Sequence, residues 1–253
     1  MDEVTVITLT RERPDMVKRA IASVQKQKCE YKIHHLVLVD DCQQTKEMFE
    51  KSMFDNPNLV WKYFPREPGD CSGPGRSAVL RNIGVEISQS RWICFLDDDN
   101  EYEPDHIRSL VRCILHAGSP VAHSYMNVFY RDGRPYICED HPWELNGMST
   151  KESYKWLVKK GVRIPGSNVF RDRGDTLDTP DPVRTVDTNE FLFEKEILLR
   201  FPFTVEYSAD DLDRMQGEDD KLLGHLIENG IRLACTENAS VRYYLGGYSN
   251  RIE

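Results

Sequence analysis

Asp97-Asp98-Asp99 closes the apolar run Trp92-Ile93-Cys94-Phe95-Leu96. Such a run is expected to be a short buried strand, with Ile93, Phe95 and Leu96 in its interior. Three adjacent carboxylates repel one another, so a strand end that carries them calls for a cation in their midst. Magnesium or manganese suits this donor set, because either ion is held by one or two carboxylates while substrate phosphate and water complete its shell. The first and third residues of an extended run share a side. Asp97 and Asp99 are therefore expected to act together, with Asp98 facing elsewhere unless the chain turns. The plainer reading is a polar turn with a helix cap, which accounts for one Asp but not for three in succession.

Other polar clusters occupy comparable places. Asp40-Asp41 follows the apolar run His35-Leu36-Val37-Leu38-Val39. It has the makings of a turn, and at a strand end it can also accept hydrogen bonds from a base imide or a ribose hydroxyl. Gly73-Pro74-Gly75-Arg76 lacks the Gly-Lys-Ser/Thr of a P-loop and the Gly-x-Gly-x-x-Gly of a dinucleotide loop. Its Arg76, like Arg81 one turn on, is a surface cation by default and a good diphosphate ligand by chemistry. Glu218-Asp219-Asp220 heads a late helix, where acidic side chains offset the helix dipole and where one of them can serve as a general base.

The elements that must position these groups follow from periodicity. Val4 to Leu9, His35 to Val39, Leu59 to Phe64 and the Trp92 run read as strands. Helices are expected after Pro14, with Val17, Ala20, Ile21 and Val24 inward, after Arg76, and after Pro104, with Ile107, Leu110, Val111, Ile114 and Leu115 on one face. Strand and helix alternate through the first 115 residues, which predicts a doubly wound α/β sheet with ligands beyond the carboxyl ends of its strands. The second half is less regular. Asn127 to Tyr136 reads as a hairpin around Asp132-Gly133. Ser149-Thr150-Lys151-Glu152 is a capping box for a helix that stops at Gly161. Residues 171–186 are charged and carry Pro180 and Pro182, so they are expected to form a mobile surface loop. Ile231 to Thr236 and Val241 to Leu245 read as two late strands, and Gly246 to Asn250 as a flexible tail.

Composition narrows the function. Thirty-three Lys and Arg against 42 Asp and Glu leave a net charge of −9, which argues against a nucleic acid as partner. No run reaches the ~18 apolar residues of a membrane span, and the acidic Met1-Asp2-Glu3 start has no signal-peptide character. The seven cysteines are scattered and partly apolar in context, as expected of reduced thiols in a cytoplasmic protein. Cys138 and His141 have a ligand-like spacing without a second pair, so a zinc site is not expected.

Taken together, these stretches resemble the family-2 glycosyltransferases with the glycosyltransferase-A fold. The family's opening strand and turn appear as Val6-Ile7-Thr8-Leu9-Thr10-Arg11-Glu12-Arg13-Pro14-Asp15. Its Val-Asp-Asp-Gly-Ser appears as Val39-Asp40-Asp41-Cys42-Gln43, and its Arg/Ala-x-Asn-x-Gly helix as Arg76 to Gly84. Its Asp-x-Asp strand end is Phe95 to Asn100, and its late Glu-Asp is Glu218-Asp219-Asp220. Leu9 stands where Pro is usual and Cys42 where Gly is usual. Residues from about Lys151 to Val186 have no counterpart and are assigned to acceptor choice.

The resemblance implies a single Rossmann-like domain over residues 1–253, with a central, mostly parallel sheet flanked by helices. Residues 1–115 would form the nucleotide-sugar-binding half and residues 116–253 the acceptor-binding and catalytic-base half. It implies a metal-dependent, inverting transfer of a sugar from a nucleotide-sugar, UDP being the expected nucleotide, to an acceptor that the sequence does not identify. By position, Thr8, Thr10 and Asp41 would line the nucleoside pocket, with Asp40 beside them and Arg76 reaching the base or diphosphate. Asp97 and Asp98 would lie on the donor, and Asp99 and Asp97 would hold Mn2+ or Mg2+, with Asp99 the direct ligand. Asp219 would be the base. Two other readings rank lower. A nucleotidyltransferase would need a basic activation motif near the N-terminus, whereas the Gly-rich loop here follows the third strand. A non-catalytic nucleotide-sugar binder would not need the intact acidic motifs.

Overall fold

The computed structural model describes residues 2–51, 56–145, 147–209, 211 and 216–247. Four parallel strands open the chain: β1 (Glu3–Thr10), β2 (Lys32–Asp40), β3 (Leu59–Phe64) and β4 (Trp92–Phe95). Helices α1 (Pro14–Gln25), α2 (Gln43–Lys51) and α3 (Gly73–Ile87) connect them. Parallel neighbours require such crossovers, so the alternation read from the sequence has a direct structural cause. Helix α2 was not anticipated; it buries only Thr45 and Phe49 and has little apolar pattern to show.

The rest of the sheet is not parallel. After β5 (Glu101–Tyr102) and α4 (His106–Ala117) come β6 (Val121–Phe129), α5 (Thr150–Lys159), β7 (Val169–Phe170) and β8 (Phe191–Glu194). Then follow α6 (Lys195–Arg200), α7 (Glu218–Glu228) and β9 (Leu233–Tyr244). Among the described residues the strand order is β3-β2-β1-β4-β8-β6-β9-β5, with β7 on β6. β8 is antiparallel to both β4 and β6, and β6 and β9 are parallel. The expectation of a mostly parallel sheet therefore holds for its first four strands and gives way to a mixed sheet beyond them. The reversal at β8 brings the start of that strand to the edge where β4 ends, and so delivers residues 188–191 to the carboxyl ends of β1 to β4.

Both faces of the sheet are covered. Val4, Val6, Trp92 and Cys94 pack with Ala20, Val24, Ile107 and Leu110 on one face. Ile7, Leu38, Ile93 and Phe95 pack with Ala78, Leu80, Leu222 and Leu226 on the other. Strand alternation separates the two sets. Helix α3 lies so close to the sheet that a Cβ on Gly84 would stand 3.0 Å from Ile7 Cγ2 and 3.2 Å from Leu38 Cδ1. Two residues earlier, Asn82 exchanges hydrogen bonds of 2.9 Å in each direction with the backbone of Phe203. The Arg81-Asn82-Ile83-Gly84 stretch is thus a packing device as much as a binding motif.

Several local expectations are revised. The capping box at Ser149 and Glu152 is present, and Gly161 closes that helix with φ +75°. The late strands form one continuous β9, which Glu237 interrupts only by a positive φ of 56°. The hairpin around Asp132-Gly133 is present, with the antiparallel bridge Phe129–Pro135, Tyr130 N–H donating to the Arg134 carbonyl at 2.8 Å and Tyr136 N–H to the Val128 carbonyl at 3.0 Å, but its second arm is too short to form a strand. Leu115 is exposed, outside the buried stripe of α4. Residues 171–186 are not a free loop: Asp172, Val183 and Val186 are buried, and Gly174 bridges Arg184. Of the expected tail, Gly246 and Gly247 are described, and residues 248–250 lie outside the described residues.

His106 is fully buried at the head of α4, its Nδ1 2.8 Å from Ser240 Oγ and its ring stacked at 3.9 Å on Tyr102. Burial pushes its pKa down to about 3. A base depressed on folding stabilises the protein fully above its unfolded pKa of ~6.5, and that contribution is lost as pH falls toward the folded value, because the unfolded chain takes the proton first. Urea unfolding at pH 7 and pH 5 is therefore expected to show the wild-type advantage over His106→Gln shrinking by about 2 kcal/mol at the lower pH. A gap that stays constant would refute a neutral buried imidazole.

Candidate active site

The parallel pairing of β1 to β4 puts Thr10, Asp40, Phe64 and Phe95 on one edge of the sheet. Just past Phe95 the chain turns, with the Asn100 N–H donating to the Asp97 carbonyl at 3.2 Å. The turn decides where the three carboxylates go. Arg13 Nη1 donates to Asp98 Oδ1 at 3.2 Å and to Asp99 Oδ2 at 2.6 Å. Arg19 Nη2 donates to the Asp99 carbonyl at 2.6 Å. Asp97 has a different partner, Arg81 Nη2, at 2.9 Å. The chain turns here, the case in which Asp98 is not expected to face elsewhere: Asp98 and Asp99 share Arg13, while the charge of Asp97 still acts on Asp99. Asp97 is the open member, with a side-chain exposure of 35%, against 7% for Asp98 and 14% for Asp99.

Burial pushes the Asp98 carboxyl up to about 7, with the charge of Asp99 adding to it, and Arg13 only partly offsets the effect. Asp99 is pushed up to about 6 by burial and then by Asp97. Gly247 packs over this turn: a Cβ there would be 3.0 Å from Asp99 Oδ2.

A second acidic group faces the first. The 3-10 turn Thr188–Glu190 precedes β8. Its Asn189 accepts from the Asp97 N–H at 2.7 Å and donates through Nδ2 to Asp97 Oδ2 at 2.8 Å and to Asp187 Oδ1 at 2.5 Å. One amide side chain thus fixes two carboxylates. Asp187 is pushed well up by burial and then by the charges of Asp219 and Asp97.

Asp219 is likewise raised by burial and by Asp97, while the nearby Arg81 guanidinium holds it down. Arg81 also pairs with Glu218. These mutual influences bring Asp97, Arg81, Asp187, Glu218 and Asp219 into one neighbourhood. Asp220 is used differently: its Oδ2 accepts from the Gly217 N–H at 3.0 Å and caps α7. Tyr207 stands close by, pushed up to about 12 by burial and Asp219, with Lys221 Nζ 4.4 Å from its ring centre.

On the β1–β3 side the expectations need correction. Thr8 is fully buried, with its hydroxyl 2.9 Å from His35 Nε2, so its side chain does not line a pocket. Thr10 is buried too, beside Asp98. Arg76 does not reach outward. Its Nε donates to Asp40 Oδ1 at 2.9 Å, Nη1 to Asp70 Oδ2 at 3.2 Å and Nη2 to the Pro65 carbonyl at 3.0 Å. Arg66 takes the other oxygen of Asp40. Asp40 is consumed by two guanidiniums, which hold its carboxyl below the ordinary range against the effect of burial. Asp41 is the open residue of this pair. It has φ +46° and accepts from the Tyr63 hydroxyl at 3.1 Å. Glu12, after β1, has φ +57°, so two of the strand exits hold non-glycine residues in the left-handed region that L side chains pay to enter.

Carboxylates are the donor type that magnesium or manganese takes. The charge of Asp97 adds to the rise of Asp99, and the carboxyls of Asp98 and Asp99 stay above their ordinary values despite Arg13. Among the described residues no group of three His, Cys, Asp or Glu side chains converges on a point. The protein would therefore supply two carboxylates, and a bound diphosphate and water the rest, as for magnesium or manganese.

Arg13, Asp187 and Asn189 were missed from the sequence. Arg13 sits within the opening motif, and an arginine one residue before a helix carries no sign of its partner. Asp187 and Asn189 lie in a stretch without periodicity, and the one available signal was the capping pattern Asp187-x-x-Glu190, which the structure forms.

Residues 5–175, more than half of the chain, match the sequence pattern of the family described as Glycosyl transferase family 2. The succinoglycan biosynthesis protein ExoO of Rhizobium meliloti is 29% identical over 52% of this chain and 35% of its own length. The putative colanic acid biosynthesis glycosyl transferase WcaA of Escherichia coli is 22% identical over 66% of this chain and 56% of its own. The chain therefore spans about a third to a half of these relatives. Among solved structures, S. aureus TarS 1–349 in complex with UDP-GlcNAc superposes with a TM-score of 0.63 at 16% identity, covering 98% of this chain and 60% of that one. The mannosyltransferase PcManGT from Pyrobaculum calidifontis, in complex with GDP-Man and Mn2+, gives 0.58 at 12% identity, covering 95% and 56%. These likenesses establish the glycosyltransferase-A architecture.

Proposed function

Because the chain belongs to glycosyl transferase family 2, we propose that it moves a sugar from a nucleotide-sugar, a UDP-sugar being our choice, to a hydroxyl acceptor with inversion at the anomeric carbon. The observation that carries the reading is that Arg81 joins Asp97, at the carboxyl edge of the parallel strands, to Glu218, the residue before Asp219. Asp97 belongs to the strand end and Asp219 to a helix start, and each has a separate task.

On this reading Asp41 and the exits of β1 and β2 form the nucleoside side of the cleft, and Asp97 the sugar-diphosphate side. Asp99, with Asp97, would hold Mn2+ or Mg2+, which would offset the charge that builds on the departing diphosphate. Asp219 accepts the proton of the acceptor hydroxyl as its oxygen bonds to the anomeric carbon. The bond from that carbon to the diphosphate oxygen breaks on the opposite face, and its electron pair leaves with the nucleotide. A base of raised pKa is suited to this, since it holds the proton more strongly than an ordinary carboxylate does.

Residues 1–115 would serve the donor, and residues 116–253 the acceptor and the base. The folds solved with UDP-GlcNAc and with GDP-Man and Mn2+ support a nucleotide-sugar donor and a divalent ion. Seven unpaired cysteines support a cytoplasmic setting. No helix of the described residues is long and apolar enough to cross a membrane.

Calorimetry with UDP and GDP, each with and without Mn2+, tests the proposal. UDP is expected to bind more tightly with the metal. Asp99→Asn is expected to remove at least the ~10–100-fold in metal-dependent affinity that loss of even an outer partner costs. Binding of neither nucleotide under any condition would end the proposal.

A further inference from the structure

Next to the carboxylate cleft lies a second cavity of about 400 Å³, walled by Tyr125 and Cys235 on β6 and β9 and by Lys160, Arg171, Asp172 and Arg173. The turn Thr188–Glu190 links the two neighbourhoods. In the turn Thr188–Glu190, Asn189 binds Asp97, while the next side chain, Glu190, is fully buried and lies under the charges of Asp172 and Cys235. On its other flank, Gly174 packs so near α7 that a Cβ would stand 3.3 Å from Leu223 Cδ1. Leu223 is four residues, about one helical turn or ~5.4 Å along the axis, beyond Asp219.

The lining has two characters. Three cations ring the mouth in a chain whose net charge is −9. Lys160 is paired with Asp181 at 2.8 Å and Arg173 with Asp175 at 2.8 Å. Exposed Arg171 has no ion pair among the described residues; its charge is felt by Tyr125. Deeper in, Asp172 is 2% exposed, and its Oδ2 has no hydrogen-bond partner among the described residues. A buried polar atom without a partner costs free energy unless something satisfies it. Burial pushes Asp172 up to about 7, so near neutral pH it can accept or donate a hydrogen bond.

We propose that this cavity is the acceptor subsite, and that the acceptor is a polyhydroxylated molecule bearing an oxyanion, a phosphate or a carboxylate. Arg171 takes the oxyanion at the mouth and Asp172 a hydroxyl within, while a second hydroxyl extends past residues 189–190 toward Asp219. A cation without an ion pair beside a buried carboxyl with one unsatisfied oxygen selects a ligand that is charged at one end and hydroxylated at the other; the carboxyl alone would serve an uncharged sugar, and the cation adds the demand for an anion. This inference rests on the transferase reading of the adjoining cleft and adds the class of its acceptor.

The test is a calorimetric titration of the whole chain with glycerol 3-phosphate, D-glucuronate and, as the uncharged control, glycerol, with UDP measured in parallel. One of the two anions is expected to bind and glycerol not to, and which anion binds tells phosphate from carboxylate. Arg171→Ala, a surface change that leaves the fold intact, is expected to weaken that anion by about tenfold, the equivalent of one charge-assisted hydrogen bond, with UDP affinity unchanged. Asp172→Asn should weaken the hydroxylated anion more than it weakens inorganic phosphate. Equal anion binding by wild type and Arg171→Ala, or glycerol binding as tightly as the anions, overturns the subsite. Loss of UDP binding in the wild type would count against the cleft reading instead, so the two failures are distinct.

Discussion

Asp219→Asn is expected to lower the transfer rate by about 10²–10⁴-fold while leaving donor affinity close to that of wild type. Asn keeps the size and shape of the side chain and removes its capacity to take a proton. On the proposed reading the donor is held elsewhere, by Asp41 and the strand-end carboxylates, so binding should not follow the rate. Asp219 is raised by burial and by Asp97, with Arg81 opposing. The rate is therefore expected to fall on the acid side at a pH above the ordinary carboxylate range, and that acid limb should vanish in the variant. Asp220→Asn is the control. Its carboxylate caps the Gly217 N–H, so the expected effect is about 1 kcal/mol of stability with little change in rate. Full transfer activity in Asp219→Asn, measured as nucleotide release with acceptor present, would remove this residue from the mechanism.

The second large effect is expected at Arg81. Its side chain is 6% exposed, between the rings of Phe95 and Phe203 at 5.8 and 5.5 Å, and it answers both Asp97 and Glu218. Arg81→Met fills the space but leaves those carboxylates without a counter-charge. Removing one partner of a buried pair costs about 3–5 kcal/mol. Asp97 is partly solvated, which places the expected loss near the lower end, about 3 kcal/mol, in urea unfolding. The double variant Arg81→Met with Glu218→Gln should recover part of it, because the uncompensated charge is then gone. Arg81 also holds Asp219 down, so the acid limb of the surviving activity should move to higher pH. A loss below ~1 kcal/mol would mean that water already satisfies both acids.

Much of the donor side was legible because its signals are local. An apolar run of five residues followed by carboxylates needs nothing beyond itself to be read as a strand that ends in a polar site. Asn82 and Gly84 were visible as motif residues, although their work, a clamp on Phe203 and a close approach to Ile7 and Leu38, depends on segments far away in the chain. Arg76 shows the limit of such reading. As a basic residue at a helix head it suited a diphosphate, yet its donors are spent on Asp40, Asp70 and backbone carbonyls. Nothing in its neighbourhood of sequence says which acceptor will claim it. Residues 171–186 misled in the opposite sense. Charge and proline suggested a mobile loop, whereas Asp172 and Val183 are buried against elements that the loop's own composition does not reveal.

What the sequence by itself determined is the four opening strands, the helices α1, α3 and α4, and the chemical type of the strand ends: three Asp after β4, two at the end of β2 and a Glu-Asp pair opening a helix. Periodicity and side-chain chemistry are properties of a short stretch, and they survive whatever the rest of the chain does. Tertiary structure alone decided which of these groups remain available. The turn at 97–100 gave Asp98 and Asp99 to Arg13 and Asp97 to Arg81. The antiparallel β8 carried Asn189 to Asp97. Four arginines, two from α3 and one each from the β1 and β3 exits, paired with Asp40, Asp70, Asp97, Asp98, Asp99 and Glu218, and left Asp41 and Asp219 without an ion pair among the described residues. A charge is functional or structural according to what lies within a few ångströms of it, and that distance is set by folding.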